Sequence, residues 1–100
     1  MSLEELKNKI RQYFTGKPVK RVFIFGSFLE KGADANDIVL IAEFDYEEAP
    51  RFSFLEHIAL AQGLEDEVGK KIDLLSYTAI KPDFMKLIEA DMQQLYERGW

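Results

Sequence analysis

Cysteine is absent from these 100 residues and histidine occurs once, as His57. Those two gaps exclude disulfides, thiolate nucleophiles and zinc centres built on cysteine or histidine clusters. Any metal must therefore sit among oxygen ligands, the preference of magnesium, manganese and calcium. Positive charge is in short supply as well: 13 Lys and Arg stand against 18 Asp and Glu, a formal net charge of −5. Nucleic-acid binders need clustered cations against phosphate, so this balance disfavours a nucleic-acid partner. No apolar run approaches membrane-spanning length, and the opening Met1-Ser2-Leu3-Glu4-Glu5 lacks the basic and apolar regions of a signal peptide. Together these point to a cytoplasmic protein with no membrane partner. Repeats and low-complexity tracts are also lacking.

What is present is the composition of a folded domain, 47% hydrophobic and 31% charged, and the length allows a single domain over residues 1–100. Leu3, Leu6, Ile10 and Phe14 recur at helical spacing, with Ser2 and Glu5 placed as a capping pair. Val19 to Phe25 is β-branched and aromatic, the mark of a strand, and breaks at Gly26-Ser27. A short helical turn is expected over Phe28–Lys31. Asp37 to Phe44 reads as a second strand, with Ile38, Leu40, Ala42 and Phe44 on one face and Asp37, Val39, Ile41 and Glu43 on the other. An acidic connection follows from Asp45 to Pro50, with Tyr46, Glu47 and Glu48 read as solvated, then a helix from about Phe52 to Glu67 closed by Gly69, and a third strand over Lys71–Tyr77. A last helix is expected from Pro82, with Phe84, Leu87, Ile88, Met92, Leu95 and Tyr96 as its apolar stripe. The expected order is α-β-α-β-α-β-α. This is an α/β (α+β) fold: a small mixed sheet packed by helices, its first two strands antiparallel because the element between them is short.

A strand ending in Gly26-Ser27 and leading into a helical turn has the makings of a phosphate site: glycine admits close approach to backbone amides, and serine adds a hydroxyl. The same pair is also an ordinary turn. Asp37 opens the second strand near it, and Asp73 lies in the apolar run Ile72-Asp73-Leu74-Leu75, where a carboxylate is costly unless compensated. Two aspartates on neighbouring strands beside such a turn suit a magnesium–nucleotide site. His57 reads as a packing or surface residue, and Phe52 and Phe54 as core and rim packing.

Gly26-Ser27, the run Asn36-Asp37-Ile38-Val39-Leu40-Ile41-Ala42-Glu43-Phe44, and Lys71-Ile72-Asp73-Leu74-Leu75 followed by Ala79-Ile80-Lys81-Pro82 resemble the signature of minimal nucleotidyltransferases of the DNA polymerase beta-like superfamily. The resemblance covers nearly the whole chain in the right order. It implies the nucleotidyltransferase fold and Mg2+-dependent transfer of a nucleoside monophosphate from ATP or another nucleoside triphosphate to a hydroxyl. Gly26 and Ser27 would hold the triphosphate, while Asp37 and Asp73 would be the catalytic and metal-binding carboxylates. It also implies a partner, since proteins of this kind act as antitoxins beside HEPN-type helical toxins. A homo-oligomer is left open.

The departures from the pattern are specific. The family's second aspartate, in Asp-x-Asp, falls on Val39. The loop before Asp37 is one residue short, and Phe28, Leu29 and Glu30 stand where a basic residue is common. Glu43 shares the face of Asp37 but lies roughly 20 Å along the strand, and nothing in the sequence places Asp34 in the site. The expectation is weakened or absent catalysis. The alternative is an inactive, antitoxin-like module that works by binding a partner.

Overall fold

Ser2 opens the first helix as its spacing to Glu5 predicts: the Glu5 N–H donates to Ser2 Oγ at 3.1 Å, satisfying one of the free amides of the first turn. The computed structural model describes residues 2–25, 37–48 and 53–99, with Asp37 described through its backbone alone. In chain order the elements are helix α1 (Leu3–Phe14), strands β1 (Val19–Phe25) and β2 (Asp37–Phe44), helix α2 (Phe54–Val68), strand β3 (Lys71–Ser76), the short helix α3 (Pro82–Ile88) and strand β4 (Met92–Glu97). The turn expected over Phe28–Lys31 lies outside the described residues, as do Gly26, Ser27, Phe52 and Trp100.

The four strands form one mixed sheet in the order β3-β2-β1-β4. β1 runs antiparallel to both β2 and β4, and β2 runs parallel to β3. Helix α2 supplies the crossover between the parallel pair, as a parallel connection requires. Ser53 caps α2 by accepting from the Glu56 N–H at 3.2 Å. Gly69 ends it in the left-handed region, φ 70°, where a side chain would be strained.

One face of the sheet is covered by α1 and α2. Val22, Ile24, Ile38, Leu40, Ala42, Phe44, Ile72, Leu74 and Leu95 meet Leu6, Ile10 and Phe14 of α1 and Leu60, Leu64 and Val68 of α2 in a single buried core. Val19 and Val22 both point into it although three residues apart, because the register with β2 shifts between Val19 and Arg21. The other face carries Phe23, Phe25, Val39, Ile41, Glu43, Lys71, Asp73 and Leu75; Ile41 is buried there at 1% exposure, and the others lie outside the core.

The chain departs from expectation beyond Ile88. Instead of one long helix, α3 stops there, a 3-10 turn spans Glu89–Asp91, and Met92–Glu97 joins the sheet. Two forces outweigh the helical spacing. The open side of β1 offers a ladder of backbone hydrogen bonds, and Leu95 becomes fully buried when it pairs there. Phe84 and Leu87, read as part of the last helix's apolar stripe, are 52% and 75% exposed. Phe54, expected to pack, is likewise 77% exposed. After β2, Tyr46, Glu47 and Glu48 are exposed as expected, while Asp45 is buried and accepts from the Glu47 and Glu48 N–H groups and from Arg98 Nη1, the last at 2.7 Å. Among the described residues no helix is long and apolar enough to cross a membrane.

Candidate functional site

The parallel ladder between β2 and β3 decides where the sequence-predicted carboxylates lie. Its register sets Asp37 opposite Lys71 and Val39 opposite Asp73. Residues opposite each other in a ladder share a face, and side chains alternate along a strand, so Asp37, Val39, Lys71 and Asp73 all belong to the face that the helices leave open. Asp37 and Asp73 sit on adjacent strands, one rung of this face apart along the strand direction. Strand spacing and rise place their Cα atoms about 8 Å from each other.

Asp73 is exposed although it interrupts an apolar strand. The reason is periodicity: Ile72 and Leu74 point into the core at 4% and 7% exposure, and the residue between them must point out. The burial cost that drew attention to Asp73 in the sequence is therefore not incurred. Val39 is half-buried on the rung shared with Asp73, and its methyls offer no oxygen.

Further along the same face the residues are already committed to one another. Arg21 Nε donates to Glu43 Oε1 at 2.7 Å, and the guanidinium lies 5.3 Å from the ring centroids of both Phe23 and Tyr77. The hydrogen bond to Glu43 is the main reason the Arg21 pKa is raised above its ordinary value. Glu43 thus serves Arg21 and stands apart from the aspartates. This cluster of arginine, phenylalanine and tyrosine was not singled out from the sequence; the alternation that sets Arg21, Phe23 and Phe25 on one face of β1 is the signal that could have found it.

His57 packs, as expected: its Nε2 donates to the Leu74 carbonyl and its ring lies 5.2 Å from that of Phe44. Gly26, Ser27 and Asp34 fall outside the described residues. β1, which runs straight into the Gly26-Ser27 pair, ends at Phe25 on the rim where β2 begins.

The donor set can be tested against the metals that such a site implies. Among the described residues there is no group of three carboxylate or histidine side chains placed to hold an ion. Two carboxylates with substrate phosphates suit one magnesium, which keeps several waters and needs few protein ligands. Among the described residues no side-chain oxygen stands where a second ion would need one, because Val39 occupies that position.

The sheet thus carries α1 and α2 on one face and Asp73 on the other. Similar folds occur in a chain of the complex between a tri-AMPylated Shewanella oneidensis HEPN toxin and MNT antitoxin, with a TM-score of 0.72 at 18% identity over 95% of this chain and 72% of that one. A structure described as a minimal nucleotidyltransferase matches with a TM-score of 0.68 at 21% identity, over 93% of this chain and 95% of that chain. The chain belongs to the polymerase beta nucleotidyltransferase family, whose model matches residues 8–99. Its sequence is also 34% identical, over 82% of this chain and 85% of the relative, to a Methanocaldococcus jannaschii protein named as a protein adenylyltransferase.

Proposed function

We propose that this protein binds ATP over the open face of its sheet and transfers AMP, slowly, to a hydroxyl on a HEPN-type partner protein. The observation that supports the reading is the β2–β3 register, which pairs Asp37 with Lys71 and Val39 with Asp73 across the ladder. Membership of the nucleotidyltransferase family supports the reaction class. The relative named for protein adenylyl transfer, together with the AMPylated HEPN toxin of the structurally similar complex, supports the donor and the acceptor.

In this reading Gly26 and Ser27 hold the triphosphate just beyond β1, and Asp37 and Asp73 face its phosphates. The acceptor oxygen attacks the α-phosphorus. A new P–O bond forms as the bond to the β-phosphate oxygen breaks, pyrophosphate leaves with the electron pair, and the hydroxyl proton passes to solvent at this exposed face. A divalent cation supplies charge neutralisation at the phosphates when bound. Such transfer depends on positioning and electrostatics more than on covalent help from the protein. The missing oxygen at Val39 is thus a rate defect, one that leaves the fold intact.

The test is transfer of label from ATP radioactive at the α-phosphate to a HEPN-type acceptor. Val39→Asp is expected to raise labelling by about 10²-fold or more, the usual worth of one well-placed electrostatic group. A native protein that labels as fast as Val39→Asp would sink the ligand argument. A second reading, a partner-binding module without chemistry, is favoured by the aliphatic rung at Val39. It prevails if neither protein labels the acceptor and both still bind it.

A further inference from the structure

The N-terminal half of α2 is apolar all the way round. Leu60 and Leu64 face the core, yet the outward side of the same turns carries Phe54, Leu55, Ile58, Ala59 and Gln62, all exposed and none of them charged. Residues at these spacings share one helical face. Of Asp, Glu, Lys and Arg, only Glu56 occurs between Phe54 and Leu64, and it lies about 100° round the helix from Leu55, off this face. A surface helix ordinarily turns charge to water, and a helix apolar on every side is ordinarily buried. The patch runs on beyond the helix: the Phe54 ring lies 6.5 Å from that of His57, His57 5.2 Å from Phe44, and Phe44 6.2 Å from Tyr46. Phe54 and Leu55 are each 77% exposed, Tyr46 44% and Ile58 37%. Side chains of this size present roughly 150–250 Å² when fully exposed, so these four leave on the order of 400 Å² in water. That is the size at which an apolar patch on a monomer is commonly functional.

We infer that this face is the contact between two copies of the chain, related by a two-fold axis that passes beside Ile58 and pairs their α2 helices antiparallel. A two-fold contact sets the patch against itself, so any charge in it would meet its own sign; a face without charge escapes that repulsion. Antiparallel pairing about Ile58 brings Phe54 of each copy towards Gln62 of the other. It leaves the small Ala59 near the axis, where the helices must approach to about 8–10 Å. The area agrees. Two copies cover roughly 800 Å² of apolar surface, and with an apolar share of about 57% the whole contact reaches about 1,400 Å², the range of a stable specific interface. The location agrees too: α2 covers the face of the sheet opposite Asp73, so pairing leaves the open face of both copies free. An acceptor for the proposed transfer must reach that open face, and this surface lies on the other side. The pairing itself does not depend on the proposed chemistry.

Light scattering after size-exclusion chromatography is the test. At high micromolar concentration the native protein is expected at twice the 11.6 kDa of one chain, falling towards one on dilution. Leu55→Glu brings two carboxylates into an apolar contact and is expected to weaken the dimer at least about a hundredfold. Its circular dichroism should match that of the native protein, because Leu55 is exposed and outside the core. Ile58→Glu, beside the axis, should act the same way. Phe84→Glu makes a comparable change at an exposed position on α3 and is expected to leave the dimer intact. A native protein of single-chain mass at every concentration, or a dimer that Leu55→Glu leaves unaltered, would overturn the inference. So would equal dissociation by Phe84→Glu. A monomer whose binding to a HEPN-type protein is lost in Leu55→Glu would overturn it as well, and would give the face to that partner.

Discussion

The hydroxyl of Tyr13 occupies the place that a Cβ on Gly63 would need, and it donates to the Leu60 carbonyl of the same helix at 2.6 Å. The glycine in the middle of α2 is therefore there to let α1 approach. Burial, with the negative charge of Glu67 and Asp66, raises the Tyr13 pKa and keeps the phenol a donor. Gly63→Ala is accordingly expected to destabilise the protein by about 1–2 kcal/mol through overpacking, against the usual gain for alanine in a helix. In a Tyr13→Phe background, where the hydroxyl is gone, the same change should stabilise by up to about 1 kcal/mol. Urea denaturation of the four members of this cycle reads the reversal of sign directly; equal effects in both backgrounds would refute the steric account.

Asp45 and Arg98 lock the end of β2 to the turn that follows β4. Arg98 Nη1 donates to Asp45 at 2.7 Å and Nη2 to Glu48 at 2.9 Å. The Arg98 hydrogen bond, followed by the backbone N–H of Glu48, holds the Asp45 carboxyl below its ordinary value. A depressed folded-state pKa means a contribution that is fully present above the unfolded value, about 3.9, and is lost as pH falls through the folded one. The thermal midpoint of native protein should thus exceed that of Asp45→Asn at neutral pH, and the gap should close as the solution is taken below about pH 3.5. A gap that stays constant across this range would show the carboxylate charge to be irrelevant.

Arg11 on α1 reaches the outer rim of the sheet, where its Nε donates to the Leu95 carbonyl at 2.7 Å. Arg11→Ala leaves that carbonyl to water and removes a cation from an edge strand. The expected cost is about 1–2 kcal/mol, with faster amide exchange confined to β4 and its neighbours. Hydrogen-exchange mass spectrometry separates this from a global loss, which would slow or speed exchange everywhere alike.

At the candidate site, Asp73→Asn placed on the Val39→Asp background is expected to lower acceptor labelling by about 10²–10³-fold. Circular dichroism should be unchanged, because Asp73 lies outside the core. Unchanged labelling would remove Asp73 from the proposed chemistry.

Much of this arrangement was legible in the amino-acid order. The capping spacing of Ser2 and Glu5, the break at Gly69, and the alternation of Ile38, Leu40, Ala42 and Phe44 each report a local rule that the fold obeys. The same alternation put Asp37 and Val39 on one face, whereas Asp73, read as a carboxylate at risk of burial, is exposed between the buried Ile72 and Leu74. What sequence could not give was pairing. Nothing local says that Val39 and Asp73 share a rung, nor that Met92–Glu97 would leave a helical spacing to lie beside β1. That choice belongs to the vacant side of β1 and to the buried place waiting for Leu95. The Tyr13–Gly63 contact was equally hidden, since a glycine that weakens a helix on its own is indistinguishable from one that admits a neighbour.

The position of β1 between β2 and β4 has a kinetic consequence. Its pairing with β2 closes a short connection, whereas Arg21 must find Glu97, and Phe25 must find Met92, across most of the chain. Loop entropy makes the second closure the slower one. Until it occurs, one side of β1 is a bare template for any passing strand, so misassembly during folding is governed by how quickly β4 arrives.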